Sequence, residues 1–123
     1  AWILAEAGLD AAACGNIGVP VADVVRQALE SPPVGQRTLV AELSSYQLAH
    51  SPTFRADVAV FTNLRPDHLD WHGSMRAYED AKASMFTGEK SPRLAVLNAA
   101  DPVTGRVVNE TRAQCATFTA QPT

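Results

Sequence analysis

The strongest constraint on the fold of this sequence is the alternation of short, almost wholly apolar runs with stretches of helical period. Ala11 to Cys14, Thr38 to Leu43, Val58 to Thr62, Leu94 to Leu97 and Cys115 to Phe118 each read as a buried strand. Between the first two, Val19 to Leu29 predicts a helix, with an apolar stripe of Val21, Val24, Val25, Ala28 and Leu29 and with Pro20 in its first turn. Ser74 to about Phe86 predicts a second helix and Ala100 to about Asn109 a third. Uniformly apolar strands joined by amphipathic helices predict an α/β fold, a mostly parallel sheet flanked by helices on both faces. Right-handed crossovers then bring every strand's C-terminal end to one edge, where open α/β folds bind ligands.

At 123 residues the chain is long enough for one domain. Ala1 to Ala7 is a strong helix former with no Ser, Thr, Asp or Asn cap before it, and Thr119 to Thr123 follows a strand-like run without tapering. The expectation is an interior piece, truncated at both ends and unable to complete a reaction alone. Charge narrows the partners: the net value is −3 and Lys and Arg form no run, so neither nucleic acid nor a membrane surface is expected. No apolar stretch approaches the roughly 20 residues that span a bilayer. Cys14 and Cys115 lie far apart inside apolar runs, as small hydrophobes of a reducing cytoplasm. Asn109-Glu110-Thr111 matches a glycosylation acceptor only as short motifs do by chance.

Polar residues cluster just after three of the strands. Asn16 follows the first; Glu42, Ser44 and Gln47 follow the second; Asn63, Asp67, His68, Asp70 and His72 follow the third. An oxygen-rich set with an occasional imidazole suits Mg²⁺ or Mn²⁺ better than a structural zinc. Each group has a plainer reading. Glu42 can cap the next helix or pair with an Arg, the segment from Asp67 to His72 can be a polar turn, and His72 beside Gly73 can be structural. Lys82 is more telling, because it shares a helix face with Met75, Tyr78, Met85 and Phe86 and opposes Glu79 and Asp80. A buried ammonium needs an anionic partner or a depressed pKa, and a neutral amine can take up CO₂ as a carbamate; the alternative is a stem that snorkels to the edge.

Four segments together resemble the Mur ligase family's central, P-loop NTPase-like ATP-binding domain. They are Gly15-Asn16-Ile17-Gly18, Glu42 to Leu48, Asn63 to Asp70 with His72-Gly73-Ser74, and Tyr78 to Lys82, and they span nearly the whole chain in order. The first two are the narrower and resemble the branch that adds D-glutamate to UDP-N-acetylmuramoyl-L-alanine. The resemblance implies Glu42, His68 and Lys82 as catalytic groups and magnesium ligands, with Lys82 carbamylated. It implies Asn16, Ser44 and Gln47 at the uridine nucleotide or the ATP phosphates, and Asp67 as the residue orienting His68. It also implies ATP as co-substrate and an acyl-phosphate route to peptidoglycan precursors.

The family's phosphate-binding loop, G-x-x-x-x-G-K-S/T, does not occur in these residues, and Gly88-Glu89-Lys90-Ser91 lacks its glycines in register. The expected piece, residues 1–123, is therefore part of the central domain without that loop or the N- and C-terminal domains. Other readings stay open: a diaminopimelate-adding enzyme, a folylpolyglutamate synthase, a cyanophycin synthetase, a non-catalytic metal- or nucleotide-binding module, or a metal-dependent hydrolase on the Asp67–His72 cluster.

Overall fold

The computed structural model describes residues 1–119; of the tail segment, Ala120 to Thr123 lie outside the described residues. The chain forms two compact units, Ala1–Ser44 and the residues from Ser45 onward.

The first unit runs α1 (Trp2–Glu6), β1 (Ala11–Gly15), α2 (Val21–Glu30) and β2 (Thr38–Glu42). The two strands pair in parallel from Ala11 opposite Thr38 to Gly15 opposite Glu42. Arg37 holds Asp10 at 2.9 Å where they begin. Pro20 is the residue before α2, at φ −56° and ψ 141°, so it leads the chain into the helix instead of forming its first turn. Only Val24 of the expected stripe is buried; Val25 and Leu29 are exposed. Cys14 is buried in this unit, as its apolar setting predicts.

The second unit continues with α3 (Ser45–Ala49), β3 (Val58–Phe61), α4 (Leu69–His72), α5 (Met75–Ala83), β4 (Leu94–Asn98), α6 (Pro102–Glu110) and β5 (Gln114–Phe118). Its three strands pair in parallel in the order β3-β4-β5, so the described strands make two ladders and not one. Ala59, Phe61, Ala95 and Leu97 meet Ala83, Phe86, Val103 and Val107 in the core. Period-two alternation turns Val58 and Val60 to the other side, where they are 46% and 55% exposed. Among the described residues of this unit, helices pack on one face of the sheet. Cys115 is exposed as well, against the expectation of a buried thiol.

Ser74 caps α5 by accepting a hydrogen bond from the Ala77 N–H at 3.1 Å. The helix ends at Ala83, and Ser84–Phe86 tightens into a 3₁₀ turn that places Phe86 in the core. Gly88–Lys90 forms another 3₁₀ turn. Asp101 caps α6 and also reaches across the sheet end. Its carboxylate accepts from Val103 N–H at 3.0 Å and from Leu64 N–H at 2.7 Å. Asn98 donates to the Thr62 carbonyl at 2.8 Å, so the ends of β3 and β4 are tied twice, just before the Asp67–His68 segment.

Candidate functional site

In the first unit, Asn16 and Glu42 lie together where β1 and β2 end. The Asn16 N–H donates to the Glu42 carbonyl at 2.7 Å, and both side chains are exposed. The approach is possible because the preceding residue is Gly15, at φ 117°. A Cβ there would stand 2.1 Å from the Glu42 oxygen. Ser44 closes this unit and is half-buried.

In the second unit the loop after β3 carries Asn63, Asp67 and His68, and α4 carries Asp70 and His72. His68 adopts φ 55°, a left-handed conformation that costs a residue with a Cβ about 1–2 kcal/mol. Several bonds hold it there. Its N–H donates to Asp67 Oδ1 at 2.8 Å, and its carbonyl accepts from the N–H groups of Trp71 and His72 at 3.2 and 3.1 Å as α4 begins. Asp67 Oδ2 also lies 3.4 Å from His68 Nε2.

Around His68 the rings form a connected cluster. Tyr46 from α3 meets His68 edge-on at 5.0 Å, Trp71 at 4.6 Å and His72 at 5.6 Å. Tyr78 from α5 lies 6.2 Å from His68 and 5.1 Å from His72. His50 adds a contact to Trp71 at 5.7 Å, so all three histidines of the sequence join this cluster. His72 Nε2 lies 2.9 Å from the buried Ser45 hydroxyl. Burial, and then the charges of Asp67 and Tyr46, push the Tyr78 phenol above its usual pKa of 10.0.

Gln47 follows β2 as expected in sequence, lies within α3 and is exposed. Lys82 is half-buried, four residues after buried Tyr78. The expected contrast with Glu79 does not hold, because Glu79 is itself half-buried, 3.3 Å from Arg106. Arg106 also reaches Asp80 at 2.6 Å and Glu110 at 2.9 Å, which clamps α5 to α6. These carboxylates raise the guanidinium pKa further above its ordinary value, so the clamp stays charged.

Sequence reasoning missed Tyr46 and Trp71 as parts of the site, and Asp101 as the residue under the loop. The signal for Asp101 was present: Asp followed by Pro at a helix start is a cap signature. Nothing local marks Tyr46, whose role depends on packing of α3 against α4 and α5. Among the described residues, no three His, Cys, Asp or Glu side chains gather to hold a metal ion. No helix among them is long and apolar enough to cross a membrane.

Known proteins resemble this chain. Residues 16–121 match the Mur ligase middle domain. The UDP-N-acetylmuramoylalanine–D-glutamate ligase of Nocardia farcinica is 40% identical over 112 residues, covering 91% of this chain and 22% of that protein. The enzymes of that name from Rhodococcus jostii and Streptomyces coelicolor are each 46% identical, covering 82% and 88% of the chain and 19% and 21% of themselves. The chain thus spans about a fifth of the length of these relatives. A solved UDP-N-acetylmuramoyl-L-alanyl-D-glutamate–2,6-diaminopimelate ligase shares the fold, with a TM-score of 0.71 and 24% identity over 99% of this chain and 28% of that one. With the family match running through both units, this chain belongs to the Mur ligase family, within its middle domain.

Proposed function

We propose that this chain is part of an ATP-dependent ligase that joins D-glutamate to UDP-N-acetylmuramoyl-L-alanine in cytoplasmic synthesis of peptidoglycan precursors. The observation that carries the reading is 40–46% identity to D-glutamate ligases over most of the chain. The local geometry supports it, since the polar groups follow strand ends, where α/β folds bind ligands.

The reaction runs through an acyl phosphate. A substrate carboxylate oxygen takes the γ-phosphoryl group of ATP, and ADP leaves. The D-glutamate amine then attacks the acyl carbon, phosphate departs, and the nitrogen loses a proton as the amide forms. This route needs no protein nucleophile. Asn16, Ser44 and Gln47 are assigned to the uridine nucleotide or the ATP phosphates, and Asp67 to holding the His68 ring.

The donors proposed for Mg²⁺ or Mn²⁺ are Glu42, His68 and Lys82, the last as a carbamate. Glu42 offers an exposed carboxylate and His68 an exposed imidazole, and Lys82 is half-buried. Carbamylation would supply an oxygen ligand where the genetically encoded side chain is a cation. A divalent ion, when bound, offsets repulsion between the substrate carboxylate and the triphosphate and stabilises charge during transfer.

The full-length protein is expected to consume ATP only with UDP-N-acetylmuramoyl-L-alanine and D-glutamate together. Turnover with diaminopimelate or a folate in place of D-glutamate would overturn the assignment. In the same assay Lys82→Ala should abolish ligation, and added short-chain carboxylic acids should restore part of it. Parental activity in Lys82→Ala would refute the carbamate.

A further inference from the structure

We propose that three arginines at the N-terminal end of the β3-β4-β5 sheet, Arg55, Arg93 and Arg112, form a binding site for a phosphate or diphosphate group. A cavity of about 480 Å³ lies there, lined by all three. They are far apart in sequence, and the parallel register brings them together. Val58, Leu94 and Gln114 stand side by side where the strands begin. Arg93 directly precedes β4, Arg112 comes two residues before β5 and Arg55 three before β3. The Asp67–His68 loop follows the opposite end of β3, so the cavity is separate from the candidate site.

Charge sets these arginines apart. Arg26, Arg37, Arg76 and Arg106 each hold a carboxylate, at 2.8, 2.9, 3.3 and 2.6 Å. Among the described residues Arg55, Arg93 and Arg112 hold none, although Asp57 and Glu89 line the same cavity. A guanidinium is a rigid, permanently charged fork whose paired N–H groups match two oxygens of a phosphate. Three such forks on one cavity suit a tetrahedral oxyanion better than they suit a single carboxylate.

The backbone beneath them is tied down. The Arg93 N–H donates to the Asp57 carbonyl at 2.9 Å, and the Arg93 carbonyl accepts from the Gln114 N–H at 3.2 Å. The Arg112 N–H donates to Ser91 Oγ at 3.1 Å, and this buried hydroxyl donates to the Phe86 carbonyl at 3.0 Å. Two of the three guanidiniums therefore spring from backbone anchored to the sheet and the core, which reduces the ordering an arriving anion must impose. All three arginines are exposed, so an anion reaches them from solvent and a neutral replacement leaves the core intact.

The test follows each arginine separately. The full-length protein is treated with phenylglyoxal, which modifies accessible guanidiniums, in rising inorganic pyrophosphate without metal, and the modified residues are mapped by peptide mass spectrometry. Arg55, Arg93 and Arg112 should be protected together at one half-saturating concentration, while potassium chloride of matched ionic strength protects none of them. Arg93→Gln and Arg55→Gln should each raise the concentration that protects the remaining two by roughly 10-fold or more. Glu89→Gln, which removes a repelling charge, should lower it, and Arg26→Gln, which removes a cation elsewhere, should leave it unchanged. Ligation by Arg93→Gln at saturating substrates should match the parent's. Unprotected arginines, equal protection by chloride, weaker protection in Glu89→Gln, or protection indifferent to both arginine substitutions overturns the site. Loss of ligation in Arg93→Gln at an unchanged thermal midpoint overturns its separation from the catalytic end.

Discussion

Gly15 shows how one residue sets the geometry of a strand end. At φ 117°, with the Glu42 carbonyl in the space a Cβ would fill, it lets the β1 and β2 ends meet and the Asn16 N–H reach that carbonyl. Gly15→Ala meets both a disfavoured backbone region and a backbone clash, so it should cost roughly 2 kcal/mol or more. A thermal midpoint unchanged from the parent would contradict this. Tyr78 gives a second residue-scale prediction, of pH dependence. Its folded pKa lies above its unfolded value of about 10, so its contribution to stability is complete below that pH. That contribution is lost as pH rises through the folded value, because the unfolded chain releases the proton first. Urea midpoints measured upward from about pH 9 should fall more steeply in the parent than in Tyr78→Phe. Parallel curves would contradict the raised pKa.

The elements differ in how far local sequence could announce them. β1 to β5 lie where apolar runs place them, and α2, α5 and α6 lie where the helical stretches were expected. α3 and α4 were not legible. Each is a turn or so long, polar on one side, and held by ring contacts between residues 46, 68, 71 and 72 that exist only after folding. The apolar runs also overstated burial. Val58 and Val60 have strand propensity, yet no helix of this unit covers them. The same limit applies to the candidate site. Glu42 and His68 were legible as polar residues after strands, while Tyr46 was legible only as a motif letter. The Asp101 clamp is the element-scale feature with the most direct test. Asp101→Ala removes a helix cap and leaves the Leu64 N–H without its partner, at a cost of about 2–4 kcal/mol. Hydrogen exchange of the Leu64 amide should rise with it; unchanged protection would show that the loop is held by something else.

At the scale of the whole molecule, the match to the Mur ligase middle domain crosses both compact units, and each unit carries its own share of the assigned polar groups. Asn16, Glu42 and Ser44 belong to the first, and Gln47, Asp67, His68 and Lys82 to the second. Ligation by way of an acyl phosphate makes a demand that can be followed atom by atom. One oxygen of the substrate carboxylate must leave with the phosphate released from ATP. The full-length protein should therefore be given UDP-N-acetylmuramoyl-L-alanine labelled with ¹⁸O in its free carboxylate, together with ATP and D-glutamate, and the phosphate analysed by mass spectrometry. The account predicts one ¹⁸O atom in each phosphate formed with the D-glutamate amide. Phosphate without the label, or label transfer only with a different amino acid, would contradict it.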